Sequence, residues 1–300
     1  MNTSAPILAR LERIRLTTDW QLFFWKVRQA IAKIVIHIIL VAGAIVFAAP
    51  FVWMLSTSFK SEATAYKIPV EWIPKPIRWQ NYVEAWQMQP FPLFYRNTIF
   101  LTAVNIVGVT LSSSLVAFAF ARVRFWGRDT LFLILLATMM LPGQVTLIPI
   151  YVVWSRLKAV NTYWPLIIPE WLGTAYNIFL LRQYMMTITP EMDDAARIDG
   201  ASWFRIYSQI IIPMSAPALG VVAIQAFSWN WNSFMGPLIY LNTRDKFTIS
   251  IGLRLFQSQM SQYMPYTMAM SVVALIPVLI VFFIAQRYFI QGIVITGVKG

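Results

Sequence analysis

The chain has 300 residues, of which 58% are hydrophobic and 12% charged. An ordinary soluble domain is about a quarter charged, and a disordered chain needs low hydrophobicity with high charge, so both classes are excluded. With no cysteine and one histidine, disulfides, thiolate chemistry and a histidine-based metal site or triad drop out; the net charge of +12 fits basic loops beside anionic lipid, with no nucleic-acid partner implied.

Residues 1–33 are polar and basic, with Arg10, Arg13, Arg15, Lys26, Arg28 and Lys33. The apolar run that follows is too long for a signal-peptide core and lacks a clear cleavage site, so it reads as an uncleaved first span. Six spans can be drawn, over 34–59, 98–120, 130–154, 163–181, 214–241 and 266–288. None has Lys or Arg at its centre, where either costs about 2.5–3.5 kcal/mol. All should be helices, because hydrocarbon offers no partner to an open backbone group. The expected organisation is an N-terminal segment over 1–33, a transmembrane domain over 34–290 and a tail over 291–300. Six spans put both termini on one side. The N-terminal segment and the Arg122, Arg124, Arg128 loop favour the cytoplasmic side, with 14 Lys and Arg inside against 10 outside.

The first outer segment, 60–97, is rich in Pro and Trp. Its Trp72, Trp79, Tyr82 and Trp86 suit the headgroup level. The third span carries Pro142-Gly143 and Pro149, and the fourth Pro165 and Pro169. Such breaks survive where neighbouring helices or a water-filled path satisfy the freed backbone. Glu170, after the two prolines, is the one carboxylate inside a drawn span. An ionisable group there is a candidate for substrate contact, or it simply reaches water near the span's outer end. His37 in the first span reads as a structural hydrogen bond or a cavity-facing group.

The inner segment 182–213 is the most informative. Thr189-Pro190-Glu191 has the signals of a helix start, with acids in the first turn. Gly200 reads as its stop, and Ser202 can cap a second helix running to Pro213. The first helix holds Glu191, Asp193, Asp194 and Asp199 against Arg197. Lipid of an anionic leaflet repels such a helix, which therefore suits a protein surface or plain solvent. In the fifth span, Trp229-Asn230-Trp231-Asn232 combines flat aromatic faces with amides, the groups that orient a sugar in an apolar pocket. The same residues also fit an aromatic belt with asparagines joining helices.

Asp194-Ala195-Ala196, three residues, Gly200, nine residues and then Ile210-Ile211-Ile212-Pro213 resembles the "EAA" signature, E-A-A-x3-G-x9-I-x-L-P, of ABC-importer permeases. Asp194 stands for Glu and Ile212 for Leu. The run Met140-Leu141-Pro142-Gly143-Gln144-Val145-Thr146-Leu147-Ile148-Pro149 resembles the third span of carbohydrate-importer permeases. So do Asn161-Thr162-Tyr163-Trp164, Phe179-Leu180-Leu181-Arg182-Gln183 and Trp231-Asn232 with Pro237-Leu238-Ile239. The end, from Gly292 to Val298-Lys299-Gly300, resembles that of the shorter, six-spanned permease of the maltose and glycerol-phosphate type.

The resemblance implies an all-α membrane protein of type I importer architecture in a bacterial or archaeal inner membrane. It implies a second, unlike permease, two ATPase subunits and a periplasmic or lipid-anchored binding protein as partners. Asp194, Ala195, Ala196, Gly200, Ile210 and Pro213 would couple to the ATPases, and Val298, Lys299 and Gly300 would reach them through the tail. Trp229, Asn230, Trp231, Asn232 and Glu170 are the candidates for the substrate pathway. The chain has no G-x-x-x-x-G-K-[ST] phosphate loop and no metal cluster, so no cofactor is expected in it; ATP and Mg would be bound by the ATPase partners. The rival readings are an ion-coupled secondary transporter, which needs buried charged groups near the midplane, and a membrane enzyme, for which a catalytic cluster is missing.

Overall fold

The structure, a computed structural model, describes residues 5–259 and 263–296. The described residues form helices and connecting loops, with no strand. In chain order the helices are α1 (Ala5–Ser58), α2 (Glu62–Ala65), α3 (Gln80–Met88), α4 (Phe91–Arg122), α5 (Arg128–Thr138), α6 (Gly143–Arg156), α7 (Trp164–Trp171) and α8 (Ala175–Met185). Then come α9 (Glu191–Ile198), α10 (Trp203–Ile206), a π-helical turn (Tyr207–Ile211), α11 (Ile212–Met214), α12 (Ala216–Trp231), α13 (Met235–Tyr240), α14 (Ile249–Gln259) and α15 (Met264–Thr296).

Among the described residues, three helices are long and apolar enough to cross a membrane, in α1, α4 and α15, or up to five if two bent pairs each count as one crossing. This departs from the six continuous spans expected, and the departures sit at the punctuating residues. The third drawn span bends by 97° between α5 and α6, where Pro142 cannot continue the ladder and Gly143 opens the next helix. The fourth is two short helices, α7 and α8, separated at Gly173, whose φ is +81°. The fifth is α12, a break at Asn232–Phe234, and α13. At the other end, α1 begins at Ala5 and takes in most of the polar 1–33 segment. Its 54 residues are about 80 Å at 1.5 Å per residue, against a hydrocarbon core of about 30 Å, so much of the helix lies beyond any crossing.

Helix α4 is the central post. It packs on α7, α8 and α12, with α15 closing over α12 and α1 lying outside on α15. Gly108 lets Trp171 of α7 lie on the α4 backbone; a Cβ there would meet the indole at 2.4 Å. Asn105 of α4 donates through Nδ2 to Leu166 O of α7 at 2.9 Å and to Asn230 Oδ1 of α12 at 2.6 Å. Pro277 inside α15 has no N–H for the carbonyl four residues earlier. Tyr95 of α4 supplies the donor to that Val273 carbonyl at 2.8 Å, and the Trp231 indole N–H reaches the adjacent Ala274 carbonyl at 3.1 Å. The α1 surface from Phe23 to Val52 is exposed over most of its length, as are the apolar faces of α5 and α6 and, in the break between them, Met140 and Leu141, as expected of surfaces that meet lipid or another apolar chain.

Candidate functional site

Two clefts lie end to end along α12. The larger, about 530 Å³, opens between α4, α7, α12 and α13, and is lined by Asn105, Glu170, Trp229, Asn230, Asn232 and Tyr240 among others. The smaller, about 240 Å³, continues along α12 beside α8, lined by Thr174, Tyr176, Asn177 and Gln225. Glu170 and Trp229 line both and stand at their junction. The structure thus brings together four of the five residues singled out for a pathway. Trp229 is 73% exposed and offers its ring to the cleft. Asn230 is held by its own bond to Ala226 O and by Asn105, and Asn232 Nδ2 donates back to Ser228 O. Trp231 lines neither cleft: it is buried, with Tyr95 against its ring edge and its N–H spent on Ala274 O. A helix places successive residues about 100° apart, so Trp229 and Trp231 point to different faces. His37 is exposed on α1 and donates through Nδ1 to Lys33 O of its own helix at 2.7 Å.

At the opposite end of α4 sits the 182–213 segment. Helix α9 begins at Glu191 with Pro190 immediately before it; Thr189 contributes its carbonyl to Met192 N and no side-chain cap. Glu191, Asp193 and Asp194 occupy the first turn, favourable beside the positive end of the helix dipole. The helix stops as a Schellman motif. Gly200 has φ +79°, its N–H bonds Arg197 O, and the Ala201 N–H bonds Ala196 O. Ser202 then caps α10 by accepting from Arg205 N at 3.3 Å. The Arg197 guanidinium lies 5.0 Å from the Trp203 ring centroid and bridges the two helices across the turn.

The loop is tied to the membrane helices from two sides. Ala196 is half-buried against a cluster containing Phe118, Leu181, Met185, Ile206 and Ile211, while Tyr207 shares a 2.7 Å hydrogen bond with Ser114 of α4. Ile210 is half-buried, Pro213 is exposed, and the neighbouring Ile211 fills the core. The second tie is ionic. Asp193 Oδ2 lies 3.1 Å from Arg122 Nε at the last residue of α4, both side chains under a tenth exposed, and Arg122 also donates to Ile188 O at 2.8 Å. Burial holds the Asp193 carboxyl above its ordinary range, Arg122 pulling it down and Asp194 pushing it up. What the loop leaves exposed is Asp194, Ala195, Asp199 and Gly200, with Met192, Phe204 and an 88% exposed Ile198. Among the described residues no group of three His, Asp or Glu side chains could hold a metal ion.

The family model for the binding-protein-dependent transport system inner membrane component matches residues 113–295. The chain belongs to this family. It is 34% identical over 252 residues to a putative ABC transporter permease protein, ORF2, of Caldicellulosiruptor sp. (strain Rt8B.4), covering 84% of this chain and 91% of that one. It is 35% identical over 207 residues to the arabinooligosaccharides transport system permease protein AraQ of Halalkalibacterium halodurans, covering 69% and 74%. Among solved structures it resembles a chain of a bacterial ABC transporter involved in the import of the acidic polysaccharide alginate, with a TM-score of 0.79 at 25% identity over 86% of this chain and 96% of that one.

In this inner-membrane permease, sequence reasoning missed Arg122, Asp193, Asn105, Asn177 and Gln225. The only sequence signal for Asp193 was its place in the acidic cluster, and nothing local pairs it with a residue 71 positions away. The tail residues Val298, Lys299 and Gly300 lie outside the described residues.

Proposed function

We propose that this chain is one of two unlike permease subunits of an ABC importer for a carbohydrate, working with two ATPase subunits and a periplasmic or lipid-anchored binding protein. Both termini are cytoplasmic in this reading, and ATP and Mg are handled by the ATPases. The observation that carries it is the 182–213 segment: a short helix rigidly joined to α4 that presents Asp194, Ala195 and Ile198 outward, on a chain of the binding-protein-dependent family. Helix α9 is the coupling helix. ATP-driven approach of the two ATPases moves it, and the buried tie to α4 passes that motion to the helices around the clefts, turning the pathway between inward and outward states as rigid bodies. Loaded binding protein and ATP drive the cycle by favouring the outward state. The two clefts are this chain's half of the pathway, with Trp229 as the stacking face and Asn230, Asn232 and Glu170 as polar contacts; the tail through Val298, Lys299 and Gly300 reaches the ATPase pair. An ion-coupled mechanism would want a charged partner for Glu170, and among the described residues neither cleft is lined by one.

The test uses the absence of native cysteine. In the assembled complex, Ile198→Cys or Ala195→Cys should crosslink to a cysteine in the ATPase surface, with a yield that responds to nucleotide. Ala196 is less suitable, because its side chain faces the core of this chain. Free reaction of the Ile198→Cys thiol with bulky aqueous reagents in that complex would refute the coupling assignment. The purified chain, freed of ATPase subunits, should hydrolyse no ATP.

A further inference from the structure

The clefts carry formal charge of one sign. Among the described residues, their linings include no Lys, Arg or His, and one carboxylate, Glu170. Among the described residues that carboxylate has no ion pair, since the three salt bridges lie elsewhere. The amides beside it are oriented so that oxygens stay unmet. Asn105 spends Nδ2 on Leu166 O and Asn230 Oδ1, which fixes its amide, and its buried Oδ1 has no partner. Asn177 in the smaller cleft is likewise buried, 6% exposed, with Oδ1 unpartnered. With no donor to offset them, these buried oxygens add negative partial charge behind the cleft wall, on the same side of the balance as Glu170. A phosphate or uronate brings further acceptors and a negative charge toward Glu170, and finds no cation to receive it.

We infer that Glu170, with the unmet oxygens of Asn105 and Asn177, makes this half of the pathway exclude anions: it passes neutral, hydroxyl-rich glycans and rejects phosphorylated sugars and uronates. The inference rests on the clefts being the pathway. It separates this chain from its alginate-importing structural neighbour, whose substrate is an acidic polysaccharide, and aligns it with chemistry of the arabinooligosaccharide kind.

The experiment reads the charge of the cleft directly, without the binding protein. In the reconstituted complex, Asn232→Cys is treated with three methanethiosulfonates: cationic trimethylammonioethyl, anionic sulfonatoethyl and neutral methyl. Rates are normalised to the same reagents on a free thiol. The cationic reagent should react about tenfold faster than the anionic one, as expected for a unit charge lining the same partly shielded cleft. Glu170→Gln should abolish that preference while leaving the neutral reagent's rate unchanged, which also reports that the variant keeps its fold. Equal rates for the two charged reagents, or a preference that survives Glu170→Gln, overturns the inference and leaves the pathway standing. Protection of the Asn232→Cys thiol from all three reagents in every nucleotide state removes the pathway itself, and the inference with it.

Discussion

The buried pair Arg122–Asp193 makes an asymmetric prediction. Its Nε–Oδ2 distance is 3.1 Å, with side chains 6% and 9% exposed. Two unit charges about 4 Å apart attract by about 4 kcal/mol at an effective dielectric of 20, and desolvating each ion costs several kcal/mol. The raised Asp193 carboxyl says that attraction does not fully repay burial, so the pair sits near break-even. Its two halves are not equivalent, because a carboxylate can take a proton and a guanidinium cannot lose one. Asp193→Leu strands a buried cation and should destabilise the loop by about 3–5 kcal/mol. Arg122→Met lets Asp193 protonate and should cost about 1–3 kcal/mol, at 1.36 kcal/mol per unit of pKa. The double variant should lie within about 1–2 kcal/mol of the native chain, the remainder being the lost bond to Ile188 O.

Amide hydrogen exchange at Asp193 and Asp194, whose N–H groups bond Pro190 O at 2.9 and 3.1 Å, reads this locally. Asp193→Leu should accelerate exchange by about two to three and a half powers of ten, since 1.36 kcal/mol is tenfold. The pH sign is fixed too. A carboxyl whose folded pKa lies above its unfolded value stabilises the fold as pH drops through that window, and the contribution is lost as pH rises through the folded value. The Arg122→Met defect should therefore shrink on acidification, because its carboxyl is pushed higher still without the cation, while the Asp193→Leu defect should grow, since the native chain gains that contribution and the variant does not. Equal single-variant effects, or a double variant equal to their sum, would refute the reasoning.

Gly200→Val should loosen the Schellman turn and uncouple ATP hydrolysis from transport, at a cost of about 1–2 kcal/mol for a left-handed non-glycine residue; Gly200→Asn should be milder. Nothing lies within 4 Å of a Cβ there, so a defect in Val and Asn alike would point to contact with a partner instead of backbone strain. Gly108→Ala should lower the melting temperature of the complex, because its Cβ meets Trp171 at 2.4 Å and overpacking costs about 1–3 kcal/mol; an unchanged melting point would show that the α4–α7 contact yields freely. Trp229→Ala and Asn232→Ala should weaken transport with assembly intact, whereas Trp231→Phe should cost about 1 kcal/mol of stability with transport per assembled complex unchanged. A Trp231→Phe variant that assembles normally but transports poorly would contradict its placement away from the cleft.

The membrane class, the helical fold and the position of the short helix at 191–198 with its stop at Gly200 follow from the sequence alone, because each rests on local physics. Apolar runs without central charge must be helices in hydrocarbon, and Gly200 and Ser202 act on backbone groups within a few residues of themselves. The breaks at Pro142 and Gly173 are local as well, but how far a break bends the chain depends on what packs against it, so the drawn spans came out too continuous. Tertiary structure alone decided the rest. It divided Trp229 from Trp231, giving one to the cleft and the other to the Ala274 carbonyl of α15. It chose Asp193 over its neighbour Asp194 for the ion pair to α4, and set Glu170 where two clefts join. These are contacts between residues far apart in the chain, and adjacent residues of one helix, alike in chemistry, differ only in the direction they face.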